Sequence, residues 1–494
     1  MHLGQTARRS RRAILKLGLM TAAGSVLAAC SSSAPPQAAK PAEAPAKPAE
    51  AAKPAEPAKP AAEQPKAAAP AAAKVTTMSW ITPAEVGLER DFFTSFYQDF
   101  EKANPNIKVQ VSFESFAEYP LKLATIMAGG SIPDLIFQNS TTIHEYGARG
   151  VLRDLNPYLQ RDKIPADLYF KPLMRQLQDY KTYTKQWAIP KDSGTFGVYY
   201  NKDMFDKASV PYPKKDWTFA EFRETAKKLT FDKNGKPATS PDFDPGAVAQ
   251  WGLAWGDGPL PTSNSWQGLV YGVAGPWFND DFTKAFFDTP EQIDLIQQLA
   301  DMRCKDRSIP GAGDSTGQGD PWRNGLTAMT IGHQSQAFFY NAEKKTFKYD
   351  IAMFPGGKNG QVTTVSCSAY AIPVKAQNPD AAWELLKFLT SEPVQCKITD
   401  AKRWASSVTN CQDKLIPADG NPPGLKAIIV DPLMGRSSAK TTPTLVPPFL
   451  NEMRQVFRTE LDGVFNCGGV NAAEACKKVQ TQVMELLDKA AKLS

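Results

Sequence analysis

Histidine is scarce in this chain: there are three in 494 residues, His2, His144 and His333. That argues against a multi-histidine metal centre. Also missing are the glycine-rich phosphate loop, the His-Glu-x-x-His zinc helix and the Gly-x-Gly-x-x-Gly dinucleotide turn, each of which needs its residues at fixed spacing to reach a ligand. One catalytic pattern is present in letters only, since Gly313-Asp314-Ser315-Thr316-Gly317 satisfies G-x-S-x-G. A nucleophile elbow needs a strand before it and a helix after it, whereas Pro310 and a cluster of glycines surround this one. Neither a metal nor a cofactor is expected.

Basic charge is the next shortage, once it is divided along the chain. The whole carries 57 Lys and Arg against 51 Asp and Glu. Residues 1–29 hold five cations and no acid, and residues 30–74 hold six Lys and four Glu, which leaves 46 basic and 47 acidic residues from Val75 onward. Nucleic-acid affinity comes largely from clustered Lys and Arg, so a neutral body disfavours that partner. The length allows two or three domains, or one large two-lobed domain.

The N-terminus reads as an address. Ser10-Arg11-Arg12-Ala13-Ile14-Leu15-Lys16 resembles a twin-arginine export signal, and the apolar run Leu17 to Ala28 that follows is too short to span a bilayer. Leu27-Ala28-Ala29-Cys30 resembles a lipobox, which would make Cys30 the lipid-bearing first residue after cleavage of 1–29. A general secretory route stays open. Residues 30–74 are mostly Ala and Pro with Lys and Glu and hold no large apolar side chain, so no core offsets the ordering entropy. This stretch is predicted to be a disordered tether with polyproline-like segments.

Beyond Cys30, six cysteines remain: Cys304, Cys367, Cys396, Cys411, Cys467 and Cys476. An even count in an exported chain suggests three disulfides. Short loops favour Cys467 with Cys476 and Cys396 with Cys411, leaving Cys304 with Cys367; six reduced, buried thiols are the alternative. The spacing does not fit a zinc ribbon.

From Val75 the pattern is strand, helix, strand, helix, strand, as in a helix-covered parallel sheet. Val75 to Trp80 reads as a strand. Phe92, Phe93, Phe96, Tyr97 and Phe100 share one helical face, and Asn104-Pro105 stops that helix. Ile107, Val109, Val111 and Phe113 alternate at period two. Thr218 with Glu221, and Thr289 with Pro290 and Gln292, announce later helices through their caps. The last helix is expected over about 471–493.

Several segments, taken in order, resemble the extracellular solute-binding proteins of family 1, the carbohydrate receptors of ABC importers. They are Phe100 to Val109 (FEKANPNIKV), Gly130-Ser131-Ile132-Pro133-Asp134, Gly150 to Leu155 (GVLRDL), Trp187-Ala188-Ile189-Pro190, Tyr199 to Phe205 (YYNKDMF), Gly325 to Met329 and Ala369 to Pro373. The resemblance implies an α/β, two-lobed periplasmic-binding-protein-like fold of type II, with a hinge of crossing strands. Lobe 1 would take 75–190 and 352–402, and lobe 2 would take 191–351 and 403–494. Pro190 to Ser193 and the strand around Ile351 to Phe354 would cross the hinge. It also implies a monomeric, lipid-anchored, extracytoplasmic receptor that closes on a sugar and presents it to a membrane permease without making or breaking a bond. A same-fold receptor for a polyamine, a metal ion or a glycerol-phosphate type of solute is the alternative, with a surface carbohydrate-active enzyme behind it.

A pyranose has a polar rim and apolar faces, so a site for it combines amide or charged partners with flat aromatic rings. Trp80 ends the first strand, where ligands of open α/β sheets sit. Gln138, Asn139 and Ser140 end the third. Asp192 and Ser193 lie at the lobe crossing. Trp255 and Trp266 lie in a Gly- and Pro-rich region, Trp266 being the preferred stacking platform and Trp277 a packing residue. His333 and Gln334 follow the Ala-Met strand, Ser368 precedes Tyr370, and Trp404 precedes a loop expected to return to the cleft.

Overall fold

The computed structural model describes residues 75–492, apart from 85–86, 257, 259–263, 312–313, 315–319, 343–346 and 402–403. The expected signal segment, the tether, Cys30 and most of the G-x-S-x-G pattern lie outside the described residues. The described residues form twelve strands: β1 (Thr76–Pro83), β2 (Ile107–Glu114), β3 (Leu135–Asn139), β4 (Ile189–Pro190), β5 (Gly194–Asn201), β6 (Phe231–Asp232), β7 (Val248–Leu253), β8 (Thr327–His333), β9 (Tyr349–Ala352), β10 (Val362–Ser366), β11 (Ser368–Ala371) and β12 (Lys440–Pro443). They form two sheets. The first has the order β2-β1-β3-β11-β4; the second has the order β12-β10-β5-β8-β7-β6, with β9 also paired to β5.

The N-terminal elements follow from local pattern. Phe93, Phe96 and Phe100 fall on one face of the helix Leu88–Ala103 and are at most 2% exposed, each contributing about 2 kcal/mol by burial. Asn104 ends that helix by donating from its amide side chain and its backbone N–H to the Phe100 carbonyl. In β2, Ile107, Val109 and Val111 are partly buried while Lys108 and Gln110 are exposed, as one covered face requires. Both hydrogen bonds of the Thr218–Glu221 capping box are formed. Thr289 caps Pro290–Cys304, and Asn471 caps the final helix Ala472–Ala491.

The chain passes from the first sheet to the second through Lys191, Asp192 and Ser193, between β4 and β5, and returns through Cys367, between β10 and β11. The expected second crossing near Ile351 to Phe354 is not where the return occurs. The β9 strand pairs with β5 from Val198 to Asn201, and β10 pairs with β5 and β12, so both strands are held inside the second sheet.

Two of the three expected cysteine pairings are also corrected. Cys396 and Cys411 lie at bonding distance, as expected from their short loop. Cys304, however, meets Cys467, 163 positions further along the chain, while Cys367 and Cys476 are buried free thiols. The helix periodicity explains it. Cys476 shares the inward face of Ala472–Ala491 with Val479, Val483 and Leu487, so its thiol points into the core. Cys467 sits in the preceding turn at φ 62° and faces the end of the helix Pro290–Cys304. Cys367 occupies the crossing, where its thiol donates to Gln176 Oε1 at 3.1 Å. Burial raises the Cys367 thiol well above its usual range and pushes Cys476 up to about 12. For a chain starting at Val75, alkylation in denaturant without reductant should therefore modify two of the six cysteines, and all six after reduction; mass spectrometry that found none or six modified without reductant would contradict these pairings.

Candidate functional site

The crossings at Lys191–Ser193 and Cys367, two of the three passages between the sheets, are fastened to each other, the third lying between β11 and β12. The Lys191 amide donates to the Ser368 carbonyl at 2.8 Å, and the Ser368 amide donates to Asp192 Oδ1 at 2.6 Å. The other Asp192 oxygen lies 2.9 Å from Lys191 Nζ, with the two side chains 16% and 5% exposed respectively. Few lysines are so enclosed. Here the ammonium is also faced by aromatic rings: Trp404 at 4.4 Å from its centroid, Phe93 at 5.7 Å and Phe137 at 5.9 Å. Cation–π attraction of this kind adds on the order of 1 kcal/mol per close ring.

Trp404 is partly exposed. Its ring stacks on Phe93 at 5.5 Å and meets Phe92 edge-on at 6.1 Å, while its indole N–H is buried with no protein partner. Such a donor costs about 1–3 kcal/mol if nothing satisfies it.

Buried amides complete the junction. Gln334 accepts from the Thr195 amide at 2.6 Å and donates to the Ser193 carbonyl at 2.8 Å. The Ser193 hydroxyl donates to the Ser406 carbonyl at 2.6 Å. Gln395 donates to the Lys191 carbonyl and accepts from the Ser407 amide. A Cβ on Gly194 would lie 1.8 Å from His333 Nε2, so only glycine lets the imidazole approach here. His333 Nδ1 lies 2.8 Å from the Ser335 hydroxyl and 3.3 Å from the Ser335 amide. Burial pushes the His333 pKa down to about 4, against the opposing pull of Asp192.

The expected site residues are therefore placed as follows. Asp192, Ser193, His333, Gln334, Ser368 and Trp404 come together at the crossings. Ser193 and Gln334 are 2% and 0% exposed and use their polar groups on the backbone. Gln138 accepts from the Thr142 hydroxyl, Asn139 accepts from Thr141, and Ser140 Oγ accepts from Asn264 Nδ2 at 3.0 Å, which links the end of β3 to the helix Asn264–Val273 of the second sheet's layer. Trp255 is partly exposed, wedged among Trp266, Phe465 and the Arg303 guanidinium. Trp80 and Trp266 are each 1% exposed. Phe93, Phe113 and Tyr370 surround Trp80 edge-on, because β1 is an interior strand with both faces covered. Trp277 is buried against Tyr271. The sequence reading missed Lys191, Phe93 and Asn264. Lys191 adjoins the crossing proline and was within reach of that reading; the other two became visible only when helices packed onto the sheets.

Two mixed α/β sheets joined by crossing strands, with an ion pair and aromatic rings at the junction, make this a solute-binding fold of the type II periplasmic class. The chain belongs to the bacterial extracellular solute-binding proteins, whose family model matches residues 87–395. Among solved structures, the ABC substrate-binding protein Lmo0181 of Listeria monocytogenes in complex with cycloalternan superposes with a TM-score of 0.69 at 23% identity, covering 84% of this chain and 100% of that one. The maltose/maltodextrin-binding domain MalE of Bdellovibrio bacteriovorus bound to maltotriose gives 0.63 at 22% identity, covering 84% and 100%. At these identities the likeness is one of fold. The sn-glycerol-3-phosphate-binding periplasmic protein UgpB of Shigella flexneri is 23% identical over 290 residues, which is 58% of this chain and 62% of that protein.

Two outcomes test the junction. Asp192→Asn leaves a buried ammonium without its counter-charge and should cost about 3–5 kcal/mol in urea unfolding, most of it recovered in Lys191→Met/Asp192→Asn; an unchanged midpoint in the single variant would show that the pair is dispensable. For His333, the unfolded ring binds its proton near pH 6.5 and the folded ring near 4. The stability that depends on the neutral ring is full above about pH 6.5 and is lost as pH falls toward 4. His333→Gln should flatten that acid limb, with His144, also lowered by burial, supplying a remainder of the same sign.

Proposed function

We propose that this protein is the substrate-binding component of an ABC importer, capturing a sugar or oligosaccharide between two lobes built on the two sheets and delivering it to a membrane permease. The observation that carries this reading is the wall at the crossings, where Trp404, Phe93 and the Lys191–Asp192 pair stand together. Flat rings suit the apolar faces of a sugar, and the unpartnered Trp404 N–H, the Asp192 carboxylate and the partner-free Asn264 Oδ1 offer hydrogen bonds to its hydroxyls. The strands through Lys191–Ser193 and Cys367 act as the hinge about which the lobes close. The protein binds its solute and makes or breaks no bond.

The same reading places the protein outside the cytoplasm, with Cys30 lipidated, residues 30–74 as tether and the two close cysteine pairs oxidised. Membership in an extracellular family supports the location, and incorporation of labelled palmitate by the full chain is the check on the anchor. A glycerol-phosphate type of solute is the second reading, favoured by the likeness to UgpB. The physics of the wall favours the neutral solute: Lys191 is already balanced by Asp192, so no uncompensated cation awaits a phosphate.

Calorimetry and thermal shift over neutral oligosaccharides and phosphorylated polyols decide between them; a ligand at 100 times its dissociation constant adds about 2.7 kcal/mol. Trp404→Ala should weaken binding of the preferred sugar at least tenfold with a small change in folding stability, whereas Trp266→Ala should cost about 3–5 kcal/mol of stability. Sugar affinity unchanged in Trp404→Ala would remove this wall from the site.

A further inference from the structure

A cavity of about 730 Å³ lies among the segment from Asn156 to Gln186 and is closed on one side by Pro443 of β12. None of the residues at the crossings lines it. Its apolar surface comes from Leu159, Ile164, Tyr169 and Met174, and its charged residues are Lys163, Lys171 and Arg175. No carboxylate is among its lining residues. That is unusual in a body with 46 basic and 47 acidic residues.

Asp167 is exposed and lies outside the lining, and two other nearby acids are committed elsewhere. Asp154 accepts from the Asn156 and Gln186 amides, and Asp162 is held by Arg161, Lys387 and the Trp383 indole. Arg175 is the one cation of the three with a counter-charge, lying 2.8 Å from Asp280 with its guanidinium over the Tyr183 ring. Lys163 and Lys171 are exposed and make no ion pair among the described residues. The volume is in the range of small-molecule sites, and two lysines without carboxylate partners at an apolar cavity complement a ligand with one anionic end and an apolar body.

We propose that this cavity is a second ligand site, separate from the crossings, for a small organic anion with an aromatic or aliphatic body. Its occupant would carry a carboxylate or sulfonate between Lys163 and Lys171 and lay its apolar part against Met174 and Ile164. This assignment stands whether or not the protein carries a sugar.

Calorimetry with naphthalene-2-sulfonate on the protein from Val75 onward, beside the neutral 2-naphthalenemethanol and the small anion methanesulfonate, tests it. The aromatic sulfonate should bind, each control at least tenfold more weakly. Lys163→Glu/Lys171→Glu should weaken the sulfonate at least tenfold, as should Ala166→Trp, which fills the cavity, while both variants keep the melting temperature and any sugar binding of the parent. Absence of sulfonate binding to the parent, or binding that survives both variants, overturns the proposal. So does an acidic peptide that competes with the sulfonate and binds more tightly, since that would make the cavity a docking site for protein.

Discussion

The structure turns on one enclosed ion pair. Lys191 and Asp192 stand where the chain leaves the first sheet, and Asp192 also accepts the amide of Ser368, where the chain has just come back. A charge taken from water costs several kcal/mol unless its geometry is well satisfied, and here three rings, a carboxylate and a backbone N–H provide that satisfaction. Two passes of the chain that are 176 residues apart are thereby held in one register.

Around that pair, neutral amides do work that further charges would do at greater desolvation cost. Gln334, Gln395 and Gln176 are each fully buried; Gln334 ties itself to Ser193 and Thr195, while Gln395 bridges Lys191 to Ser407 and Gln176 bridges Cys367 to Thr444. An amide carries both a donor and an acceptor, so one side chain can hold a carbonyl of one strand and an N–H of another. The crossings are thus fixed by directional bonds, and one apolar cluster runs past them, taking Ile136, Phe137 and Ala369 from the first sheet together with Val198, Leu253 and Val365 from the second.

Much of the architecture could be read from residues alone. The phenylalanine face of Leu88–Ala103, the alternation in β2 and the caps at Thr218 and Thr289 are all set by neighbours within about five positions, and each appears where the pattern puts it. Of the candidate site, the grouping of some residues was legible. Asp192, His333, Ser368 and Trp404 do gather at the crossings. Tryptophan as a residue type, though, does not say which ring is covered: Trp80 and Trp266 are core, and Trp404 is partly exposed because it lies on a loop rather than an interior strand. The cysteines show the same limit. Loop length points to a pair 15 residues apart and carries no information about one 163 apart.

What the sequence by itself determined is whatever period, cap and composition control: the alternation of strands and helices, the neutral body beyond residue 74, and the family to which the segments belong. Tertiary structure alone decided that Lys191 is buried against Asp192, that β9 and β10 stay in one sheet, and that Cys304 reaches Cys467 while Cys476 turns inward. The reason is one of range. Backbone preference acts over a turn or two of chain, whereas the shielding of a ring, the pairing of a charge and the meeting of two thiols depend on surfaces contributed by elements that sequence distance does not relate.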